Sequence, residues 1–211
     1  MLDRLVDSPR WIRARRGDET VADSRRTKLL YPEGQVIPRH VFPEEDVRLD
    51  LVPDEAITRH EGGLIEIDFG FPDQWLEEDE ELIGHARDPF KRIDSRMTSR
   101  HIRVSIGGQT VADTRRAVAL FETGLPTRWY IPRDDVSAEL IRNATHHTIC
   151  AYKGHATHWD VAGEKAIAWT YELPLNDAVP VRSMIAFYNE RADIEVDGEL
   201  EERPRTQWSV S

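Results

Sequence analysis

Hydrophobic positions along the chain fall in short runs bounded by Gly, Pro and Asp: "IRVSIGG", "AVALFET", "RWYIP", "HTICAY", "THWDV", "IAWTYELP", "MIAFYNE" and "ADIEV". Apolar runs of this length, closed by turn residues, predict strands. "VRLDLVPDE" alternates Val47, Leu49 and Leu51 with charged residues before Pro53. That period of two predicts a half-buried strand, and "VSAELIRNA" (Val136–Ala144) is read as its counterpart. "PEED" and "PRDD" suit a short helical turn, while "IGGQ" and "VDG" suit hairpin turns, because Gly tolerates positive φ. No stretch offers a long amphipathic helix. The pattern predicts a mainly β protein.

A repeat organises the strands. Ile12–Arg26 and Ile102–Arg116 are identical at nine of fifteen positions, around "GDETVADSRR" and "GGQTVADTRR", where chance gives about one. "KLLYPEGQVIPRHVFPEEDV" then aligns with "AVALFETGLPTRWYIPRDDV" across a single one-residue gap, and "DPFKRIDSRM" falls roughly opposite "AVPVRSMIAF". The expectation is two tandem homologous small β domains, built as curved sheets or open barrels with few short helical turns. Residues 1–98 form the first and 99–211 the second, joined near residues 96–101.

Composition narrows the function. The net charge of −11 argues against nucleic-acid binding. Its placement is uneven: residues 1–39 carry +3, residues 40–81 carry −13 and residues 82–211 carry −1. The acidity culminates in "DQWLEEDEEL", read first as a solvated face and alternatively as a protein-interaction element. No apolar run reaches the roughly 20 residues of a membrane span. The start of the chain lacks a signal core, and Cys150 is the only cysteine, so a cytoplasmic location is expected.

The two copies differ where chemistry is concentrated. "THHTICAYKGHATHWDVAGEKAIAWTYELP" in the second copy faces "AITRHEGGLIEIDFGFPDQWLEEDEEL" in the first, which is acidic and lacks the cysteine and lysine. Their similar length suggests the same skeleton, with the site kept in the second copy. His146, His147, Cys150, His155 and His158 lie within thirteen residues, without CxxC or HxxxH spacing. On strands, His146 and Cys150 share a face while His155 and His158 oppose, so no metal site is expected. Cys150, Lys153 and His147 are candidates for nucleophilic catalysis, against the simpler reading of a buried thiol. The preferred reading is a pocket for a small anionic or nucleotide-like ligand. Lys153 with Arg116 or Arg128 would hold the anion. Tyr152, Trp159, Trp169 and Tyr188 would supply a wall, and Glu122 a hydrogen-bond acceptor. Arg116 has a structural alternative, an ion pair with Asp113, since Arg26 and Asp23 repeat both residues. No cofactor is expected.

"ETGLPTRWYIP", "CAYKGHATHW", "AWTYELP" and "AFYNER" resemble the signature blocks of the domain of unknown function 427 family, and "RDPFKRIDSRMTSRHIRV" resembles the junction in its actinobacterial two-copy members. The family usually carries Cys-Pro-Tyr-Lys-Gly; here Ala151 takes the proline position and leaves the turn less rigid. The resemblance implies a tandem bacterial member without a settled activity. A nucleotidyltransferase label attached to the family would need a Gly-Ser turn followed by paired metal-binding carboxylates, a constellation the sequence lacks.

Overall fold

The computed structural model describes residues 4–209, and the chain divides into two compact units, Met1–Asp88 and Pro89–Ser211. In the first, strands β1 (Arg4–Asp7), β4 (Lys28–Tyr31), β5 (Arg39–Pro43), β7 (Leu64–Ile67) and β6 (Ile57–His60) form a five-stranded antiparallel sheet in the order β1-β4-β5-β7-β6. A second sheet runs β3-β2-β8-β9, from β2 (Ile12–Arg16), β3 (Glu19–Ser24), β8 (Gln74–Glu77) and β9 (Glu80–Glu81). Alternate residues of both sheets bury a common core that includes Ile12, Val21, Phe42, Ile65, Ile67 and Trp75.

The second unit repeats the smaller sheet and enlarges the other. β12 (Gln109–Thr114), β11 (Ile102–Ile106), β19 (Asp193–Val196) and β20 (Glu199–Leu200) pair in the order β12-β11-β19-β20. The larger sheet has seven strands, β10-β13-β14-β18-β17-β16-β15. They are β10 (Ile93–Met97), β13 (Val118–Glu122), β14 (Arg128–Ile131), β15 (Ile141–Cys150), β16 (Gly154–Val161), β17 (Glu164–Thr170) and β18 (Ile185–Phe187). One face packs on the four-stranded sheet through Trp129, Ile131, Trp159, Ile167 and Phe187. The other face carries Tyr130, Trp169, Tyr171 and Ala186, covered partly by a six-residue 3-10 segment, Asn176–Val181.

The repeated decapeptides supply the turn and the second strand of the β2–β3 and β11–β12 hairpins. Each turns through a glycine at φ 57 (Gly17, Gly107), and each has a register shift two residue pairs before its turn. The mainly β architecture is the one expected: several antiparallel sheets, none closed into a barrel, with short 3-10 turns at Glu44–Asp46 and Arg133–Asp135 where "PEED" and "PRDD" suggested them. Three local readings change. "VRLDLVPDE" is not a strand: Val47 makes one bridge to Ala22, and 3-10 turns follow at Leu49–Leu51 and Asp54–Ala56. Pro53 lacks the N–H that a ladder needs, and Leu49 and Leu51 pack on the core from these turns. Its counterpart likewise bridges once, at Val136, and becomes a strand only from Ile141. Finally, "DPFKRIDSRM" supplies β10, which pairs with β13 as β1 pairs with β4, so the second unit starts ahead of the join that the repeat suggested.

The shared-skeleton expectation for the two dissimilar regions also fails. "QWLE" is β8, which pairs with β2 as β19 pairs with β11. By strand pairing, the segment between β5 and β8 (residues 44–73) occupies the place that the segment between β14 and β19 (residues 132–192) occupies in the second unit. A single hairpin, β6–β7, fills the former; β15, β16, β17 and β18 fill the latter.

Candidate functional site

Strand alternation puts Glu122, Arg128, Tyr130, Trp169 and His158 on the face of the seven-stranded sheet turned away from the main core. Cys150 and Tyr188 pack against the apolar cluster of this face. His146 also belongs here, since its ring meets His158 edge-on with centroids 4.4 Å apart. The face is both polar and buried, so its groups are held in pairs.

The hairpin turn at Cys150–Gly154 closes with Lys153 N–H donating to the Cys150 carbonyl at 3.2 Å. Gly154 sits at φ 101, and a Cβ there would lie 3.3 Å from the Leu173 carbonyl oxygen, so this close approach requires glycine. The turn aims Lys153 at Glu122, with side chains 9% and 5% exposed, and its ammonium donates to that carboxylate. β13 and the β15–β16 hairpin are well apart in strand order, so this bond ties together two sides of a curved, open sheet. Lys91 reaches the other Glu122 oxygen at 3.2 Å and lies 5.8 Å from the Tyr152 ring. Lys153→Met is expected to destabilise the second unit by about 2–3 kcal/mol, below the roughly 3–5 kcal/mol of a broken buried pair because Lys91 remains. Denaturant titration of the full chain checks it.

A second buried pair lies beside it. Arg128 grips Glu190 with two bonds of 2.8 and 2.7 Å and donates a third to Asn189 at 3.1 Å. Three rings surround its guanidinium: Trp169 at 5.6 Å, Tyr188 at 5.9 Å and Trp208 at 5.5 Å. Burial, opposed in part by Arg128, pushes the Tyr188 hydroxyl above its usual pKa. His158, 1% exposed, bonds Thr148 at 2.8 Å and stacks on Tyr188. Burial, with His146 and His147 nearby, lowers its pKa to about 4, so it is neutral at pH 7.

Tyr188 and Trp208 continue into a cavity of about 380 Å³, whose other lining residues are Asn143, Thr145, His146, Lys165, Ala166 and Arg191. Between Arg142 and His147 the β15–β16 ladder breaks, and Asn143 organises the loop by accepting from Thr145 and His146 N–H at 3.0 Å. Asp160 braces the rim: it accepts from Asn143, Lys165 and the Ala166 N–H, which together hold its pKa near 2. Arg191 donates to the Lys165 carbonyl at 2.9 Å and meets the half-exposed Glu164 at 3.2 Å.

The sequence candidates divide. Glu122, Arg128, Lys153, Trp169 and Tyr188 come together on one face, and Tyr152 is buried in the adjoining turn. Arg116 does not join them: it is exposed and bonds Asp135 at 2.5 Å, as Arg26 bonds Asp46 at 2.7 Å. Asp113, the partner suggested by the repeat, binds His101 and Arg103 instead. Trp159 points into the main core on the opposite face, with Arg133 4.8 Å from its ring. His147 is on the exposed edge strand and donates to the Ala144 carbonyl at 3.0 Å. Among the described residues, no three His, Cys, Asp or Glu side chains group to hold a metal. Lys91, Glu190, Arg191 and Trp208 went unmarked in the sequence, although "AFYNER" contains two of them beside Tyr188.

Half of the carboxylates in the acidic run of the first unit find arginine partners within that unit. Glu77 pairs with Arg10, Asp79 with Arg13 at 2.8 Å and Asp73 with Arg16 at 3.3 Å across the β2–β8 ladder. Three arginines near the start of the chain thus meet three carboxylates in and beside β8.

Fold and face define an all-β protein with an open, curved sheet that encloses buried ion pairs. Residues 94–198, all within the second unit, match the family described as Domain of unknown function (DUF427), as a single copy. No curated protein matches the chain. Among the described residues, no helix is long and apolar enough to cross a membrane.

Proposed function

We propose that the second unit binds a small anionic ligand bearing a flat ring, of nucleotide type, in the cavity beside Tyr188. The observation that carries this reading is the meeting of Tyr188 and Trp208 with His146, Lys165 and Arg191 around one 380 Å³ space. The ring stacks on Tyr188, and the anion takes Arg191 and Lys165. Both cations already have carboxylate partners, but Lys165 is 80% exposed and Glu164 54%. Such open pairs are worth at most about 1 kcal/mol, so exchanging Glu164 for a ligand anion costs little. Lys153–Glu122 and Arg128–Glu190 then support the site and do not contact the ligand.

In this reading the two units are tandem copies of one fold, in a cytoplasmic protein, and the ligand belongs to the copy with the longer β15–β18 region. The shared hairpins, their matching register shifts and the paired Arg26–Asp46 and Arg116–Asp135 bonds support the duplication. An enzyme using Cys150 gains less support, since Lys153 is engaged by Glu122 and His147 by a backbone carbonyl.

Calorimetric titration of the full chain with adenosine monophosphate, adenosine and inorganic phosphate tests the reading. The monophosphate is expected to bind more tightly than either fragment, and Tyr188→Ala to weaken it at least tenfold. No binding at millimolar monophosphate, or equal binding by Tyr188→Ala, would refute it.

A further inference from the structure

We infer that residues 201–209, following β20, form a strap that closes over the cavity and clamps the ligand ring between Trp208 and Tyr188. The inference rests on the ligand site proposed above and adds its gate.

The segment leaves the sheet after Glu201, whose N–H donates to the Ile194 carbonyl at 2.8 Å. It then returns as a self-contained turn. Thr206 N–H donates to the Ser209 hydroxyl at 3.0 Å, Ser209 N–H to the Thr206 carbonyl at 3.1 Å, and the Ser209 hydroxyl to the Pro204 carbonyl at 3.2 Å. A turn that satisfies its own backbone can move as a body without leaving those groups unpaired.

Arg203 tethers the base of the strap to Asp193 of β19 through an open ion pair at 2.7 Å, which leaves the turn beyond it to pivot, and one side chain fastens that turn beside the cavity. The Thr206 hydroxyl donates to Glu190 Oε1 at 2.5 Å and accepts from Trp208 N–H at 3.2 Å. Glu190, with a fully buried side chain, is also the carboxylate that grips Arg128. The fixed ion pair therefore offers a permanent acceptor, and Thr206 is a latch that can leave and return to it. Latched, the strap holds the Trp208 ring 6.2 Å from Tyr188, tilted by 43°. A ring sandwiched between two others needs two contacts of roughly 3.5 Å each, about 7 Å in all. At 6.2 Å and tilted by 43°, the two walls must both part and turn parallel to hold a planar group. A small outward rotation of the strap admits a planar group, and relatching encloses it. Trp208 is accordingly a binding and specificity residue that selects flat ligands, and strap opening limits their release.

Fluorine NMR of the full chain labelled with 5-fluorotryptophan tests the latch without ligand, with Trp208 assigned through Trp208→Phe. Thr206→Val is expected to move the Trp208 resonance towards its position in the unfolded chain, leaving those of Trp11, Trp75, Trp129, Trp159 and Trp169 in place. An unmoved Trp208 resonance overturns the latch. Stopped-flow measurement with adenosine monophosphate as probe tests the clamp. Trp208→Ala is expected to speed its dissociation about tenfold, and Trp208→Phe to restore most of the retention. A merely structural tryptophan would lower the midpoint and leave the rate alone. Binding that Tyr188→Ala abolishes but Trp208→Ala leaves untouched overturns the strap and keeps the site. If the unaltered chain fails to bind the probe, both site and clamp fall.

Discussion

Glu190→Ala is expected to destabilise the second unit by about 3–5 kcal/mol, the cost of leaving a buried cation without its partner. Arg128 is 6% exposed, and its two bonds to Glu190 span 2.8 and 2.7 Å. Once the carboxylate is gone, Asn189 contributes only a neutral oxygen to the guanidinium. Against a total stability of about 5–15 kcal/mol for a typical domain, this loss is large. Removing both charges together, as Arg128→Leu with Glu190→Leu, is expected to recover most of it, because the desolvated ions leave as a pair. Hydrogen exchange of the β14 and β18 amides, read in the full chain, measures both variants. A loss under about 1 kcal/mol for Glu190→Ala would mean that the pair is not buried as described.

Acid is expected to weaken the first unit through His40. Its ring is 4% exposed, stacks on Trp75 at 5.9 Å, and among the described residues neither nitrogen has a hydrogen-bond partner. Burial, reinforced by Arg10, lowers its pKa to about 4. The folded state therefore keeps His40 neutral while an unfolded chain takes up a proton near pH 6.5. Stability from this residue is complete above pH 6.5 and is lost as pH falls towards 4, by about 3 kcal/mol over the window. His158 acts in the same direction in the second unit. Urea midpoints at pH 7.5 and 4.5 should separate clearly, and His40→Phe should remove most of the difference for β5 and β7. An unchanged difference in that variant would assign the acid sensitivity to other groups.

Much of the fold was legible because its signals are local. Turn glycines, period-two runs and the twin hairpins fix strands over short distances, and the duplicated "TVAD" marks the same hairpin in each unit. The site was half legible. Lys153, Glu122, Arg128, Trp169 and Tyr188 stood out by residue type, but their partners are long-range: Glu122 lies 31 residues from Lys153, and Glu190 62 from Arg128. Which lysine meets which carboxylate depends on sheet curvature, and no periodicity reports that. Trp159 illustrates the limit. Its neighbour His158 faces the polar side, so strand alternation sends the indole into the core, and knowing this requires the register of β16. The length match between the dissimilar regions misled for a related reason. Similar lengths concealed a shift in which strand each segment supplies, and the β2–β8 and β11–β19 pairings reveal it.

The central claim is that the second unit's cavity beside Tyr188 is a ligand site. Amide chemical-shift mapping of the full chain during titration with adenosine monophosphate tests it most directly. The account predicts saturable shifts at Asn143–His146, Lys165–Ala166 and Tyr188–Arg191, with the first unit silent. Shifts confined to the first unit, scattered over the surface, or absent at saturating probe would contradict it.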